Sequence, residues 1–165
     1  MNRMTHFLFN TNRPLWRYSL IVLPLVMLPA MAILVLVRYG MTLAGLDLAK
    51  FAAPPISTSI GGAIGGIAFA PIVETYMLAV LITILSSFMS NNIYIAIVSG
   101  VLWGLLHAAF GLLWFFGPAW AFFIFTCAFI AWRQKSFKHA YFAAFVPHVL
   151  MNLIGILFVY FGNRA

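Results

Sequence analysis

Three titratable side chains and one amide lie inside strongly apolar stretches of the sequence. Glu74, one of two acidic residues in the chain, follows Ala-Pro-Ile-Val; His107 ends Val-Leu-Trp-Gly-Leu-Leu-His; His148 and Asn152 share Pro-His-Val-Leu-Met-Asn. An ionisable group at membrane depth is costly unless it is paired or neutralised, so each such group is a candidate functional residue. Together the four side chains predict an active site inside one helical bundle.

The spacing of these residues suggests which chemistry they can do. His148 and Asn152 are four residues apart, as are Trp103 and His107, and residues at this spacing project from one face of a helix. A carboxylate and an imidazole held together can take a proton from water and return it to a leaving amine. A second imidazole and a carboxamide can donate hydrogen bonds to a developing oxyanion. Peptide hydrolysis requires both functions.

The elements that must position these residues are membrane helices. Of the 165 residues, 65% are hydrophobic and 7% are charged, which is far outside the range of soluble globular proteins. A helix needs about 20 apolar residues to cross the hydrocarbon core of a bilayer. We therefore predict an all-α fold, a polytopic bundle of about five transmembrane helices that forms one integral membrane domain over residues 1–165. The predicted spans cover roughly residues 15–37, 59–88, 93–116, 118–132 and 140–161.

The net charge of +7 is explained by membrane topology. The nine Lys and Arg residues are not clustered on a soluble module that could bind phosphates, so a nucleic-acid partner is not expected. Six of them fall on one side of the predicted membrane and three on the other, which by the positive-inside rule places the amino terminus in the cytoplasm. The six are Arg3, Arg13, Arg17, Arg133, Lys135 and Lys138, and the three are Arg38, Lys50 and Arg164. The small size favours a prokaryotic cytoplasmic (inner) membrane.

Glycine and proline residues predict how the spans are interrupted and packed. Residues 39–58 are mixed in polarity and predict a short interfacial helix followed by a break, and Gly117-Pro118 predicts a tight turn. Pro71 is expected to kink the second span just before Glu74. Two overlapping small-x-x-x-small pairs at the start of that span predict close approach of another helix. They are formed by Gly61, Gly62, Gly65 and Gly66.

Three short motifs in order resemble the CAAX protease and bacteriocin-processing family, the glutamic intramembrane proteases related to the Ras-converting enzyme. That family has Pro-x-x-Glu-Glu-x-x-x-Arg, then an aromatic-x-x-x-His, then His-x-x-x-Asn on a late helix. This chain has Pro71-Ile-Val-Glu74, Trp103-Gly-Leu-Leu-His107 and His148-Val-Leu-Met-Asn152. The resemblance covers most of the chain, and the basic turn before His148 is similar to the segment that precedes the family's third motif.

The resemblance implies a role for each residue. Glu74 with His107 would activate the attacking water, His148 with Asn152 would stabilise the oxyanion, and no metal or other cofactor would be needed. The substrate would be a membrane-associated protein or peptide, for instance a lipidated, sorting-tail or leader segment. The first motif departs from the family, because Thr75 replaces the second glutamate and Ala79 the arginine. Loss of both the glutamate and the arginine is physically reasonable. Removing one partner of a buried ion pair leaves an uncompensated charge, whereas replacing both can be nearly neutral.

Other functions are compatible with the same residues. A non-catalytic immunity or chaperone-like membrane protein could keep this fold, and His148 with Asn152 could serve only as a hydrogen-bonding device between helices. His107 and His148 on facing helices could ligate haem. A zinc ion held by Glu74, His107 and His148 is chemically permissible, although the spacing matches no known zinc motif.

Overall fold

The computed structural model describes residues 8–162, so Arg3 and Arg164, two of the basic residues on which the predicted topology depends, lie outside the described residues. Within this range all regular secondary structure is helical and there are no strands, which confirms the predicted all-α membrane bundle. Four helices are long and apolar enough to span a membrane, and a fifth apolar helix is shorter. They are α1 (Leu15–Leu43), α2 (Ile60–Phe88), α3 (Asn92–Ala108), α4 (Phe116–Arg133) and α5 (Phe137–Gly162), where α3 is the short one.

The outer surface of the bundle carries large apolar side chains, as a surface facing lipid requires. Phe88, Phe158 and Phe69 are among the most exposed, with relative accessibilities of 82%, 78% and 68%. The inside is organised around α4, where every residue from 121 to 132 except Phe123 is buried. α4 packs between α3 and α5 and also contacts α1, so it is the central helix against which the others are placed.

The connections differ in part from those that the sequence suggested. The short helix predicted within residues 39–58 is a four-residue 3₁₀ turn over Leu48–Phe51, capped by Asp47, and the predicted break follows it. The third span ends at Ala108, earlier than predicted, and the chain then turns at Gly111 and forms a second 3₁₀ turn over Leu112–Phe115. A side chain at Gly111 would collide with the backbone of Ala52, so this glycine permits the close approach of two connections.

The predicted turn at Gly117-Pro118 is wrong, because both residues lie in the first turn of α4. Proline is tolerated there since the first N–H groups of a helix have no partner within it. Gly111 rather than Gly117 supplies the turn between α3 and α4.

Gly100 and Gly104 of α3 allow α4 to approach closely. A Cβ atom at Gly104 would lie 2.8 Å from the Cβ atom of Ala119, and one at Gly100 would collide with the Ala119 carbonyl oxygen. By contrast, a Cβ atom at Gly61 or Gly65 would meet nothing within 4 Å. The small-x-x-x-small motif that brings helices together is therefore the one in α3, and of the predicted set Gly66 alone faces another long helix.

Pro29, inside α1, frees a carbonyl group that another helix satisfies. Pro29 has no N–H to donate to the carbonyl of Leu25 one turn earlier. The indole N–H of Trp120, on α4, donates to that carbonyl at 2.9 Å. An unpaired carbonyl in hydrocarbon is costly, so this bond fixes α1 against the central helix.

Candidate active site

Glu74 lies just after an irregular turn in α2. Residues Gly65–Phe69 form a π-helical turn, and Pro71 follows at the start of the regular helix that carries Glu74. In this turn the N–H of Ala70 donates to the carbonyl of Gly65. The next bond in the same pattern would join residue 71 to Gly66, and proline cannot donate it. The carbonyl of Gly66 is therefore left without a partner from its own helix.

The side chain of Asn152 donates the hydrogen bond that the Gly66 carbonyl lacks. Its Nδ2 atom donates to the Gly66 oxygen at 2.8 Å, from 86 residues further along the chain. On the other side of Pro71, the hydroxyl of Tyr141 donates to the carbonyl of Ile72 at 3.2 Å. Both donors belong to α5, so α5 holds the backbone of α2 on either side of the proline. Turns of the π type occur frequently at functional sites, and this one sets the position of Glu74.

Glu74 and His148 form the central contact of the site. The His148 Nε2 atom lies 3.4 Å from the Glu74 Oε2 atom, and the side chains are 3% and 23% accessible, respectively. A carboxylate in such surroundings is stabilised by a nearby group that can share or donate a proton. The pair is thus one acid–base unit contributed by two helices, with the imidazole inside and the carboxyl at the accessible edge.

Two phenylalanines of α4 hold the His148 ring. The ring stacks on Phe125 with centroids 4.9 Å apart and meets Phe122 edge-on at 5.4 Å. Its Nδ1 atom is buried and has no hydrogen-bond partner among residues 8–162. The orientation of the imidazole is therefore fixed by packing and by Glu74.

His107 is held by its own helix. Its Nδ1 atom lies 2.8 Å from the backbone carbonyl of Trp103, and because a carbonyl oxygen only accepts, Nδ1 carries the hydrogen. In the neutral ring Nε2 is then an acceptor that can bind a water molecule or a substrate N–H. The indole of Trp114 packs edge-on against the ring at 5.1 Å.

Among the four predicted residues, the structure joins Glu74 to His148 and places His107 and Asn152 in other contacts. No hydrogen bond or ion pair links His107 to Glu74 or His148 within the described range. The Glu74–His107 pairing implied by the family resemblance stays a prediction. Asn152 already donates one amide hydrogen to Gly66, which leaves its second N–H hydrogen for other partners. No group of three or more His, Cys, Asp or Glu residues in the part of the chain that the structure describes could hold a metal ion.

Phe122 contacts both the Trp103–His107 side chains and His148, and its place in the site was not predicted from the sequence. Its ring stacks on Trp103 at 4.1 Å, meets His148 at 5.4 Å and lies 6.0 Å from the ring of His107. The signal that could have identified it is the spacing of Phe122, Phe125 and Phe129, which places three aromatic rings on one face of α4. In an aromatic-rich membrane span, that pattern is equally typical of packing.

Comparison with known proteins found no matching family model, no matching curated protein and no matching solved structure.

Proposed function

We propose that this integral membrane protein is an intramembrane endopeptidase that hydrolyses a peptide bond in a membrane-associated protein or peptide. The observation that carries the proposal is the contact between Glu74 and His148. A carboxyl group and an imidazole from two separate helices meet inside an apolar bundle, where neither group is expected unless it has a partner or a task.

In the proposed reaction Glu74 is the general base. It removes a proton from a water molecule at its accessible edge, and the water oxygen attacks the scissile carbonyl carbon to give a tetrahedral oxyanion. Once Glu74 has taken this proton and lost its charge, the Nε2–H group of His148 that faced the carboxylate donates to the oxyanion instead. The proton held by Glu74 then passes to the leaving nitrogen, and the C–N bond breaks to yield a carboxylic acid and an amine. Water is consumed, so no other reactant is needed.

His107 and Asn152 have supporting roles in this proposal. The free Nε2 atom of His107 would bind the attacking water or the substrate once the peptide is in place, because catalytic hydrogen bonds are often long or absent before substrate binds. Asn152 donates to the Gly66 carbonyl and so holds the segment of α2 that carries Glu74. Its second amide hydrogen remains for the oxyanion. The family resemblance also assigns Glu74 and His107 to water and His148 and Asn152 to the oxyanion.

The departures of the first motif are compatible with this proposal. Thr75 and Ala79, which occupy the positions of the family's second glutamate and arginine, are 1% and 6% accessible. Either charge alone would be buried there without its partner, which is strongly destabilising. Because both charges are replaced together, the interior stays uncharged and Glu74 is retained as the only acid of the site.

The substrate is proposed to reach Glu74 at the membrane, with the amino terminus of the enzyme in the cytoplasm of a prokaryotic cell. Mass-spectrometric mapping of new protein termini in cells that express the wild type or a variant tests this reaction. We expect termini that the wild type and Asp47→Asn produce and that Glu74→Gln does not. Asp47 is the matched control because it is the other acidic residue and caps a 3₁₀ turn in the connection between α1 and α2. Termini that persist in Glu74→Gln would exclude the mechanism.

A second candidate function is a non-catalytic membrane protein that binds and protects or assembles a partner. The observation that favours it is that Asn152 is engaged by the Gly66 carbonyl, as a purely structural residue would be. Complementation separates the two candidates. If Glu74→Gln supports the cell phenotype as well as the wild type does, the non-catalytic function is correct; if it fails while the protein remains folded in the membrane, the peptidase is favoured.

A further inference from the structure

Four exposed basic side chains gather at one end of the bundle. Arg17 lies near the start of α1, Arg133 at the end of α4, and Lys135 and Lys138 in and just after the turn between α4 and α5. Neither acidic residue of the chain is at this end, since Asp47 caps the 3₁₀ turn that follows α1 and Glu74 lies within α2. Among residues 8–162, no acidic side chain therefore balances the positive charge of this basic end.

Hydrogen bonds and ring contacts hold the side chains of the basic end in place. The Lys135 Nζ atom donates to the carbonyl of Thr11 and lies 4.6 Å above the ring of Trp132. The ring of Tyr18 packs edge-on against the same indole at 5.3 Å. These contacts join the segment before α1 to the turn between α4 and α5, so Arg17 and Lys135 are held on one surface.

A second interhelical contact fixes Arg133. Its guanidinium donates to the hydroxyl of Ser86, near the end of α2, at 3.1 Å, which uses one of its five N–H groups and leaves the others to bind an anion. Large rings lie beside these charges on the outer surface, where Trp16 and Phe137 are 59% and 55% accessible. Cations next to exposed aromatic rings at the end of membrane helices match the border between lipid headgroups and acyl chains.

We propose that the basic end binds anionic phospholipid, with Arg133 and Lys135 contacting the phosphodiester and the neighbouring rings contacting the upper acyl chains. Charge complementarity identifies the partner, because basic residues beside membrane helices attract anionic lipids. A lipid also supplies the apolar contact that Trp16 and Phe137 need, which a soluble polyanion does not. The inference does not depend on the proposed peptidase activity.

Native mass spectrometry of the full chain, released from nanodiscs that contain equal phosphatidylglycerol and phosphatidylcholine, tests this inference. We expect phosphatidylglycerol to be retained preferentially by the wild type. The double variant Arg133→Gln/Lys135→Gln should lower that retention by about fivefold for each charge removed. The matched control is Arg38→Gln/Lys50→Gln, which removes two exposed basic residues from the opposite end of α1 and the connection after it and should retain the lipid as the wild type does.

Four results would overturn the inference, and three of them come from the comparison of lipids and variants. The two lipids could be retained equally, the double variant could keep the wild-type preference while circular dichroism shows it to be folded, or the control variant could lose as much lipid as the double variant. Inorganic phosphate added before release serves as the probe for a soluble anion. If it displaces the bound lipid, the site recognises phosphate alone and the assignment to lipid is wrong.

Discussion

Asn152 Nδ2 donates a hydrogen bond to the carbonyl oxygen of Gly66 at 2.8 Å. The bond exists because of Pro71, which cannot donate to Gly66 when the preceding turn is of the π type. The proline in α2 and the amide on α5 therefore act together, because the amide donates the hydrogen bond that the proline cannot. Glu74 lies three residues after that proline. This relationship explains why an amide lies inside the bundle at all.

Replacing Asn152 should destabilise the fold through Gly66. In Asn152→Leu the carbonyl loses its donor, and we expect the free energy of unfolding to fall by about 1 kcal/mol, the scale of interhelical hydrogen bonds in membranes. Titration with a denaturing detergent in mixed micelles measures the change. In a Pro71→Ala background the restored N–H can bond within α2, so the same substitution should cost less.

The control for Asn152 is Thr83→Val. The hydroxyl of Thr83 donates to the carbonyl of Ala79 in its own helix at 2.8 Å, so its loss removes no contact between helices and should cost little. An Asn152→Leu effect that is the same with and without Pro71 would show that the amide does not act through the Gly66 carbonyl.

Trp120 should behave like Asn152, because it satisfies the carbonyl that Pro29 frees. Trp120→Phe keeps an aromatic ring but removes the N–H that donates to Leu25, and we expect a loss of about 1 kcal/mol in the same unfolding assay. Pro29→Ala should reduce that loss. Trp16→Phe is the matched control, since Trp16 is exposed; a loss there equal to that of Trp120→Phe would argue against the hydrogen bond as the cause.

The helical class and the approximate spans could be predicted because apolar length alone determines which segments cross a bilayer. The partners of individual side chains could not, because they depend on helix rotation and tilt. Sequence spacing correctly placed His148 and Asn152 on one helix, yet it could not show that Asn152 turns to Gly66 while His148 meets Glu74. Whether His107 joins Glu74 depends on the arrangement across helices, which spacing does not encode.

The glycine motifs illustrate the same limit. Gly61–Gly65 and Gly100–Gly104 have identical spacing, and only the second pair is packed against a helix. Gly100→Ala should therefore be destabilising by roughly 1–3 kcal/mol, the usual cost of overpacking, because the added methyl meets the backbone of Ala119. Gly155→Ala is the control, since its Cβ atom would meet nothing within 4 Å. The unfolding assay compares the two variants, and equal effects would contradict the close packing of α3 on α4.

Glu74 and His148 should be energetically coupled even in the absence of substrate. His148→Phe removes the imidazole and leaves Glu74 without its partner, whereas Glu74→Leu/His148→Phe removes both polar groups. Because breaking a buried pair costs more than replacing it, we expect the double variant to be more stable than the sum of the single changes predicts, by about 1 kcal/mol or more. A double-mutant cycle on unfolding free energy measures the coupling, and strict additivity would show that the 3.4 Å contact contributes nothing.

Phe122 should affect the site more than its neighbour Phe123, although both are phenylalanines of α4. Phe122 touches the rings of Trp103, His107 and His148, whereas Phe123 packs on Trp120 at 5.5 Å. Phe122→Leu keeps apolar volume but removes the flat surface that orients His148. We expect cleavage by Phe122→Leu to fall by tenfold or more, since small misplacement of catalytic groups is costly, while Phe123→Leu stays near the wild type.

The two Phe→Leu variants also separate orientation from stability. Phe122 is buried and Phe123 is only partly buried, so Phe122→Leu should be the more destabilising of the two variants. If Phe122→Leu remains folded in the membrane under the assay conditions and its activity still falls, the ring acts by positioning His148. Equal activity of the two variants, measured on the termini that depend on Glu74, would show that His148 needs no support from Phe122 and that Phe125, stacked on it at 4.9 Å, is sufficient to hold the imidazole.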